Sequence, residues 1–269
     1  NISQTRSVNQ HDANTAITHC LRLQRSIMVW GAPGIGKSDV VKQIGTESKR
    51  EVIDIRLPLW EPTDIKGIPY FDSNAGTMVW APPAELPSEE FASQFDWVVL
   101  FLDEMNSAAP SVQAAAYQLI LNRRVGQYKL PDNVLIVAAG NREADKGVTY
   151  RMPAPLANRF VHLEMKVEFE DWLDWATLNR IHEEVVGYVG FAKQDLYDYD
   201  PKSPSKSFAT PRSWSFVSDM VYDEDIDTET LTNLVSGAVG DGLAVKFMAH
   251  RKIASKLPKA DDILDGKVE

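Results

Sequence analysis

With 269 residues, 44% hydrophobic and 25% charged, the chain has the composition of a folded α/β domain accompanied by a smaller second one. Its single cysteine, Cys20, excludes an internal disulfide framework and suits a reducing compartment, and no apolar run approaches the length of a membrane span. The net charge of −10, from 38 acidic and 28 basic residues, repels phosphate backbones on average and argues against non-specific nucleic-acid binding.

In chain order, residues 1–25 read as a polar tail followed by a helix over 13–21, and none of this stretch resembles a targeting leader. The run 26–30 (SIMVW) is apolar and β-prone. It leads into Gly31-Ala32-Pro33-Gly34-Ile35-Gly36-Lys37-Ser38, a complete G-x-x-x-x-G-K-[ST] loop, and then into a helical period from Asp39 to Ile44. Strand, loop and helix in that order are the context in which this motif cradles a polyphosphate. Glycines let the backbone wrap closely around phosphate oxygens, and the following helix contributes its positive N-terminal end. Lys37 is expected to reach the β- and γ-phosphates, and the Ser38 hydroxyl to ligate Mg²⁺. At average residue frequencies a chance match in a chain this long has a probability of about 1%. The chain is therefore expected to bind a nucleoside triphosphate.

A second strand is expected over 51–57. A β-hairpin follows, with arms at 68–71 and 77–80 around the turn-rich 72–76; Pro82 and Pro83 stop it, and 84–95 is read as a short helix. The continuous apolar run 97–102 (WVVLFL) has the signature of a strand covered on both faces. A helix over 111–122, a turn, and another apolar strand over 133–139 complete an alternation that implies a parallel sheet with right-handed crossovers. After Met165 the character changes, and everything to Lys256 reads as helices joined by polar loops. The acidic stretch 223–229 is read as a solvated helix connection. The expected organisation is an α/β core over 1–165, with the hairpin insert at about 64–82, and a helical region with its tail over 166–269.

Asp103 and Glu104 stand at the carboxyl end of the strand 97–102, where ligands bind in open α/β sheets. Asp103 is expected to hold Mg²⁺ through its water shell, and Glu104 to polarise a water for in-line attack on the γ-phosphate. Asn141 ends the strand VLIVAAG at a position between the two phosphate motifs, suited to placing that water; a plain turn former after Gly140 is the alternative reading.

GAPGIGKS, LFLDEMN, AAGNR and APLANRF, in that order, resemble the AAA+ ATPases, and in particular their MoxR-like branch in phages and bacteria. The likeness covers nearly the whole chain, including Thr210-Pro211-Arg212 in the helical region. It implies a P-loop three-layer core with a parallel sheet, a C-terminal all-helical lid, and a hairpin inserted ahead of the Walker B strand. Walker A is then 31–39, from Gly31 through Asp39; Walker B is Asp103 and Glu104; Asn141 is sensor 1. Arg159 matches the arginine finger that reaches the γ-phosphate of the neighbouring subunit, with Arg151 a rival eight positions away. Arg212 matches sensor 2, and its own setting agrees: Thr210 can cap a helix, Pro211 suits its first position, and a cation in the first turn opposes the helix dipole unless it serves an anion. The hairpin would project Tyr70, Phe71 and Trp80 toward a substrate or partner, whereas Trp172, Trp175 and Trp214 read as lid core. Ser107 departs from the pattern, which usually has Arg there.

The resemblance implies a cytoplasmic, Mg²⁺-dependent ATP hydrolase assembled as a homo-oligomer, most simply a hexameric ring. It would remodel a protein client, such as one with a von Willebrand factor A domain. A DNA-acting motor or clamp-loader-like switch is the main alternative, although nucleic acid is not favoured by the charge, and a monomeric P-loop kinase is the third.

Overall fold

The computed structural model describes residues 6–46, 49–142 and 149–255. The chain divides into two compact units, the first ending at Lys166 and the second opening at Val167. In the first unit β1 (Ser7–Val8), α1 (Gln10–Arg22), β2 (Ile27–Trp30), α2 (Lys37–Ile44) and β3 (Arg50–Arg56) are followed by α3 (Pro62–Lys66). A hairpin of β4 (Ile68–Asp72) and β5 (Thr77–Ala81) comes next, then α4 (Glu89–Ala92), β6 (Trp97–Asp103) and α5 (Pro110–Asn122). The unit closes with a small hairpin of β7 (Arg124–Val125) and β8 (Tyr128–Lys129), then β9 (Val134–Gly140), α6 (Ala154–Ala157) and β10 (Val161–Met165).

The six-stranded sheet is parallel throughout, in the order β1-β10-β2-β9-β6-β3. Its two central apolar runs carry the core. Val98, Val99, Leu100, Phe101 and Leu102 of β6 are buried, as is all of β9, because helices cover both faces of a doubly wound sheet. Transfer alone contributes about 1.5–3 kcal/mol for each fully buried large apolar side chain. The order has a functional consequence. β9 lies between β2, which leads into the phosphate loop, and β6, which ends in Asp103, so the end of β9 falls between those two motifs.

The structure departs locally from the sequence reading in several places. The first helix starts at Gln10 rather than near residue 13, because Asn9 caps it by accepting a hydrogen bond from the Asp12 N–H (2.8 Å). Just ahead of it, Ser7 and Val8 pair with Glu164 and Met165 as an edge strand instead of a tail. The expected helix over 84–95 is reduced to Glu89–Ala92: Pro87 cannot sit inside a helix, and Ser88 restarts the chain as an N-cap to the Phe91 N–H (3.1 Å). Finally, β10 was not anticipated, and the turn after residue 122 is a short hairpin.

The hairpin 68–81 exposes Ile68, Tyr70, Phe71 and Met78. Trp80 behaves differently from the expectation. It is half-buried beside Gly126, and its backbone N–H donates to Gln127 Oε1 (3.2 Å), which ties the insert to the β7–β8 turn. Cys20 is half-buried in α1, where burial pushes its thiol up, as for an inert packing residue.

The second unit contains α7 (Phe169–Leu178), α8 (Glu183–Phe191), α9 (Pro211–Tyr222), α10 (Thr228–Val239) and α11 (Asp241–Ala254). Trp172, Tyr188, Trp214 and Phe247 are buried at its centre, with Trp175 packed against them. Two of these side chains are tied to the same residue: the Tyr188 hydroxyl donates to Asp195 Oδ2 (2.7 Å) and the Trp214 indole donates to the Asp195 carbonyl (2.9 Å). In the acidic stretch, Asp227 caps α10 by accepting from the Glu229 and Thr230 N–H groups. Among the described residues no helix is long and apolar enough to cross a membrane.

Candidate functional site

The site is built where β2 passes into α2. Ile27, Met28 and Val29 are buried, Trp30 is half-buried, and the loop 31–36 then turns the chain over the carboxyl end of the sheet. Ala32 and Ile35 are buried and anchor that loop, while Pro33 and Gly34 are half-buried. Gly36 adopts φ 90°, a left-handed conformation that an L side chain enters only with strain, and it is the N-cap of α2. The orphan N–H groups of the first turn of α2 therefore face the loop. Asp39 lies exposed in that turn.

Four of the expected residues converge. Lys37 Nζ donates to the carbonyls of Gly31 (2.7 Å) and Ala32 (2.8 Å) and to Asn141 Oδ1 (3.2 Å). Ser38 Oγ donates to Asp103 Oδ2 (2.7 Å), and Asp103 is buried. The other carboxylate oxygen, Oδ1, accepts the N–H of Glu104 (2.9 Å). Ser38 and Asp103 thus form a pair of hard oxygen donors next to an ammonium. Mg²⁺ usually takes only one or two protein oxygens, filling the rest of its shell with water and phosphate, and this donor set fits it.

Glu104 is set apart from its neighbour by the backbone. It has φ 53°, ψ 37°, the left-handed region that a non-glycine residue occupies at a cost, and its side chain is exposed beyond the end of β6. Asp103 points back to Ser38 while Glu104 is presented to solvent, so two adjacent carboxylates hold separate positions.

Asn106 is the residue that sequence reasoning passed over except as a letter in DEMN. It lies in the 3-10 turn Met105–Ser107 and is 1% exposed. Its Nδ2 donates to the Asn141 carbonyl (2.7 Å) and its Oδ1 accepts the Asn141 N–H (3.1 Å), while its own carbonyl accepts the Tyr150 N–H (2.7 Å). One buried carboxamide therefore grips the backbone of Asn141 from both sides. The approach is so close that a Cβ on Gly140 would stand 2.6 Å from Asn106 Oδ1, and only glycine fits. No spacing rule announces a bond between positions 106 and 141; it exists because β6 and β9 are neighbours. Asn106→Ala is expected to cost about 1–3 kcal/mol, from polar groups left unpaired. A denaturant titration measures that loss, and a fall in turnover with unchanged nucleotide affinity accompanies it.

Among the described residues of the first unit, neither Arg159 nor Arg151 is drawn into this cluster. Arg159 is exposed just after α6, and Arg151 is exposed beside a cavity of about 270 Å³ lined by Tyr117, Tyr150 and Leu156 among others. Arg212 belongs to the second unit. It is exposed in the first turn of α9, where Thr210 and Ser213 form a reciprocal cap and Pro211 takes the first helical position.

The chain is 26% identical over 189 residues to midasin of Giardia intestinalis, an alignment spanning 64% of this chain and 4% of that protein. Its fold is similar to NtrX from Brucella abortus, with a TM-score of 0.53, 12% identity, and coverage of 99% of this chain and 59% of the other. The Holliday junction branch migration motor RuvB of Thermotoga maritima superposes with a TM-score of 0.48 at 15% identity, covering 90% of this chain and 69% of that one. The profile of the ATPase family associated with various cellular activities (AAA) matches residues 26–162, a little over half of the chain, and the chain belongs to that family, in its MoxR-like branch.

Proposed function

We propose that this AAA ATPase is a Mg²⁺-dependent motor that works as a homo-oligomer, in the simplest case a hexameric ring, and remodels a protein client. The observation that carries the reading is the cluster Lys37–Asn141 and Ser38–Asp103, with Glu104 held apart from it. Lys37 and the loop N–H groups bind the β- and γ-phosphates, and Ser38 and Asp103 hold the metal. Held by Ser38 and Asp103, Mg²⁺ would supply positive charge against the negative charge that develops on the transferring phosphoryl group. Glu104 accepts the proton of the attacking water and Asn141, gripped by Asn106, orients that water. Arg159 of the neighbouring copy supplies a permanently charged, bidentate donor to the γ-phosphate, and Arg212 of the helical unit contacts the nucleotide as sensor 2.

A protein client fits better than nucleic acid, since the chain carries a net charge of −10 and the exposed side chains of the hairpin insert, Ile68, Tyr70, Phe71 and Met78, are apolar. By family resemblance, a von Willebrand factor A domain is the first client to try. Assembly is tested by measuring ATPase activity per chain against protein concentration. The proposal expects specific activity to rise as copies associate. A constant value from the dilute, monomeric range upward is the behaviour of a kinase-like monomer and overturns it; strong stimulation by DNA without any by protein favours the nucleic-acid motor.

A further inference from the structure

His162 occupies a place in the site's architecture that none of the nucleotide motifs accounts for. It lies on β10, in register with Met28 of β2, and its half-buried ring is nearly parallel to that of Trp30 (centroids 6.0 Å apart, planes at 14°). Phe160, itself buried, meets the His162 ring edge-on at 6.3 Å. Both ring nitrogens are engaged. The Trp30 indole N–H lies 2.9 Å from Nδ1, and the Ala157 carbonyl oxygen lies 2.6 Å from Nε2.

These partners dictate the proton's location. An indole N–H only donates, so Nδ1 must be the bare acceptor; a carbonyl only accepts, so Nε2 must carry the hydrogen. The ring is thus a neutral imidazole in one tautomer, and it links two segments that the sequence separates widely. Trp30 directly precedes Gly31, whose carbonyl accepts from Lys37. Ala157 lies two residues before Arg159, in a turn where the Arg159 N–H is itself bonded to the Leu156 carbonyl (3.0 Å).

We propose that His162 is a positioning residue, bridging the strand that feeds the phosphate loop to the turn that carries Arg159 and so fixing where the arginine of one copy is presented to the next. This rests on the reading of Arg159 as the residue acting across the seam. The bridge sets the arginine's position from the copy's own phosphate loop, so nucleotide binding and finger placement share one rigid connection.

The test uses full-length protein and subunit mixing. His162→Phe keeps an aromatic ring against Trp30 and Phe160 but removes both hydrogen bonds. It is expected to bind an ATP analogue with unchanged affinity and to turn over about 10- to 100-fold more slowly, the scale of a misplacement of about 1 Å. Because the defect lies on the side presented to the neighbour, adding Lys37→Ala copies, inactive alone but with an intact bridge and Arg159, is expected to restore hydrolysis well above the sum of the two proteins assayed separately. Trp30→Phe, which removes the donor at the other end, is expected to follow the same pattern.

A His162→Phe protein whose activity no Lys37→Ala copy restores, or that loses nucleotide binding, overturns the proposal, since its lesion then lies in its own loop or fold. Wild-type turnover by His162→Phe overturns it as well. The parallel mixture of Arg159→Ala with Lys37→Ala separates the two claims. If that pair recovers activity and the His162→Phe pair does not, the bridge alone is wrong. If Arg159→Ala is not rescued, the seam reading fails first.

Discussion

Replacing Glu104 by Gln is expected to leave ATP binding intact while slowing hydrolysis by about 10²–10⁴-fold, the usual contribution of a general base. The amide matches the carboxylate in size and can occupy the same left-handed backbone position, but it cannot take a proton from water. Asp103 keeps its contacts to Ser38 and to the Glu104 N–H in the variant, because neither uses the Glu104 side chain. Binding is read by equilibrium titration with ATP and hydrolysis by phosphate release. Turnover within a few-fold of the parent would remove Glu104 from the chemistry and move the base elsewhere.

Removing the guanidinium at Arg159 is expected to have the larger effect of the two. In other phosphoryl-transfer enzymes an arginine supplied to the γ-phosphate is worth about 10³–10⁵ in rate. Arg159→Ala should bind nucleotide normally and lose hydrolysis on that scale, whereas Arg151→Ala should lose far less. The contrast follows from their surroundings. Arg151 lines a cavity walled by Tyr117, Tyr150 and Leu156, whereas Arg159 follows α6 in a turn closed by the Leu156 carbonyl. Steady-state rates for the two variants, each with its own binding measurement, decide between them. The reverse ranking would assign the trans-acting role to Arg151.

The two predictions draw on different kinds of information. The phosphate loop was legible because its chemistry is local: eight consecutive residues carry the glycines, the ammonium and the hydroxyl, and the flanking runs identify the strand and the helix. Asp103 and Glu104 were legible for the same reason, standing at the end of an apolar strand whose burial on both faces is written in its composition. The helical character after Met165 and the cap at Thr210 follow from periodicity and from residue types that satisfy a helix's free N–H groups.

Other features depend on partners far away in the chain, and no local pattern encodes them. The shortening of α4 is not among them, since Pro87 and the Ser88 cap that limit it are local. The side-chain grip of Asn106 on Asn141, the half-burial of Trp80 against the β7–β8 turn, and the His162 bridge from Trp30 to Ala157 are different in kind. Each needs two strands or turns to be neighbours, and neighbourhood in a parallel sheet is set by crossover connections and by which apolar faces bury one another. Short-range chemistry therefore told which groups handle the nucleotide. The order β10-β2-β9-β6 settled which of them touch, because hydrogen bonds act over about 3 Å and only the packed sheet brings residues from positions 30, 106, 141 and 162 within that reach of their partners.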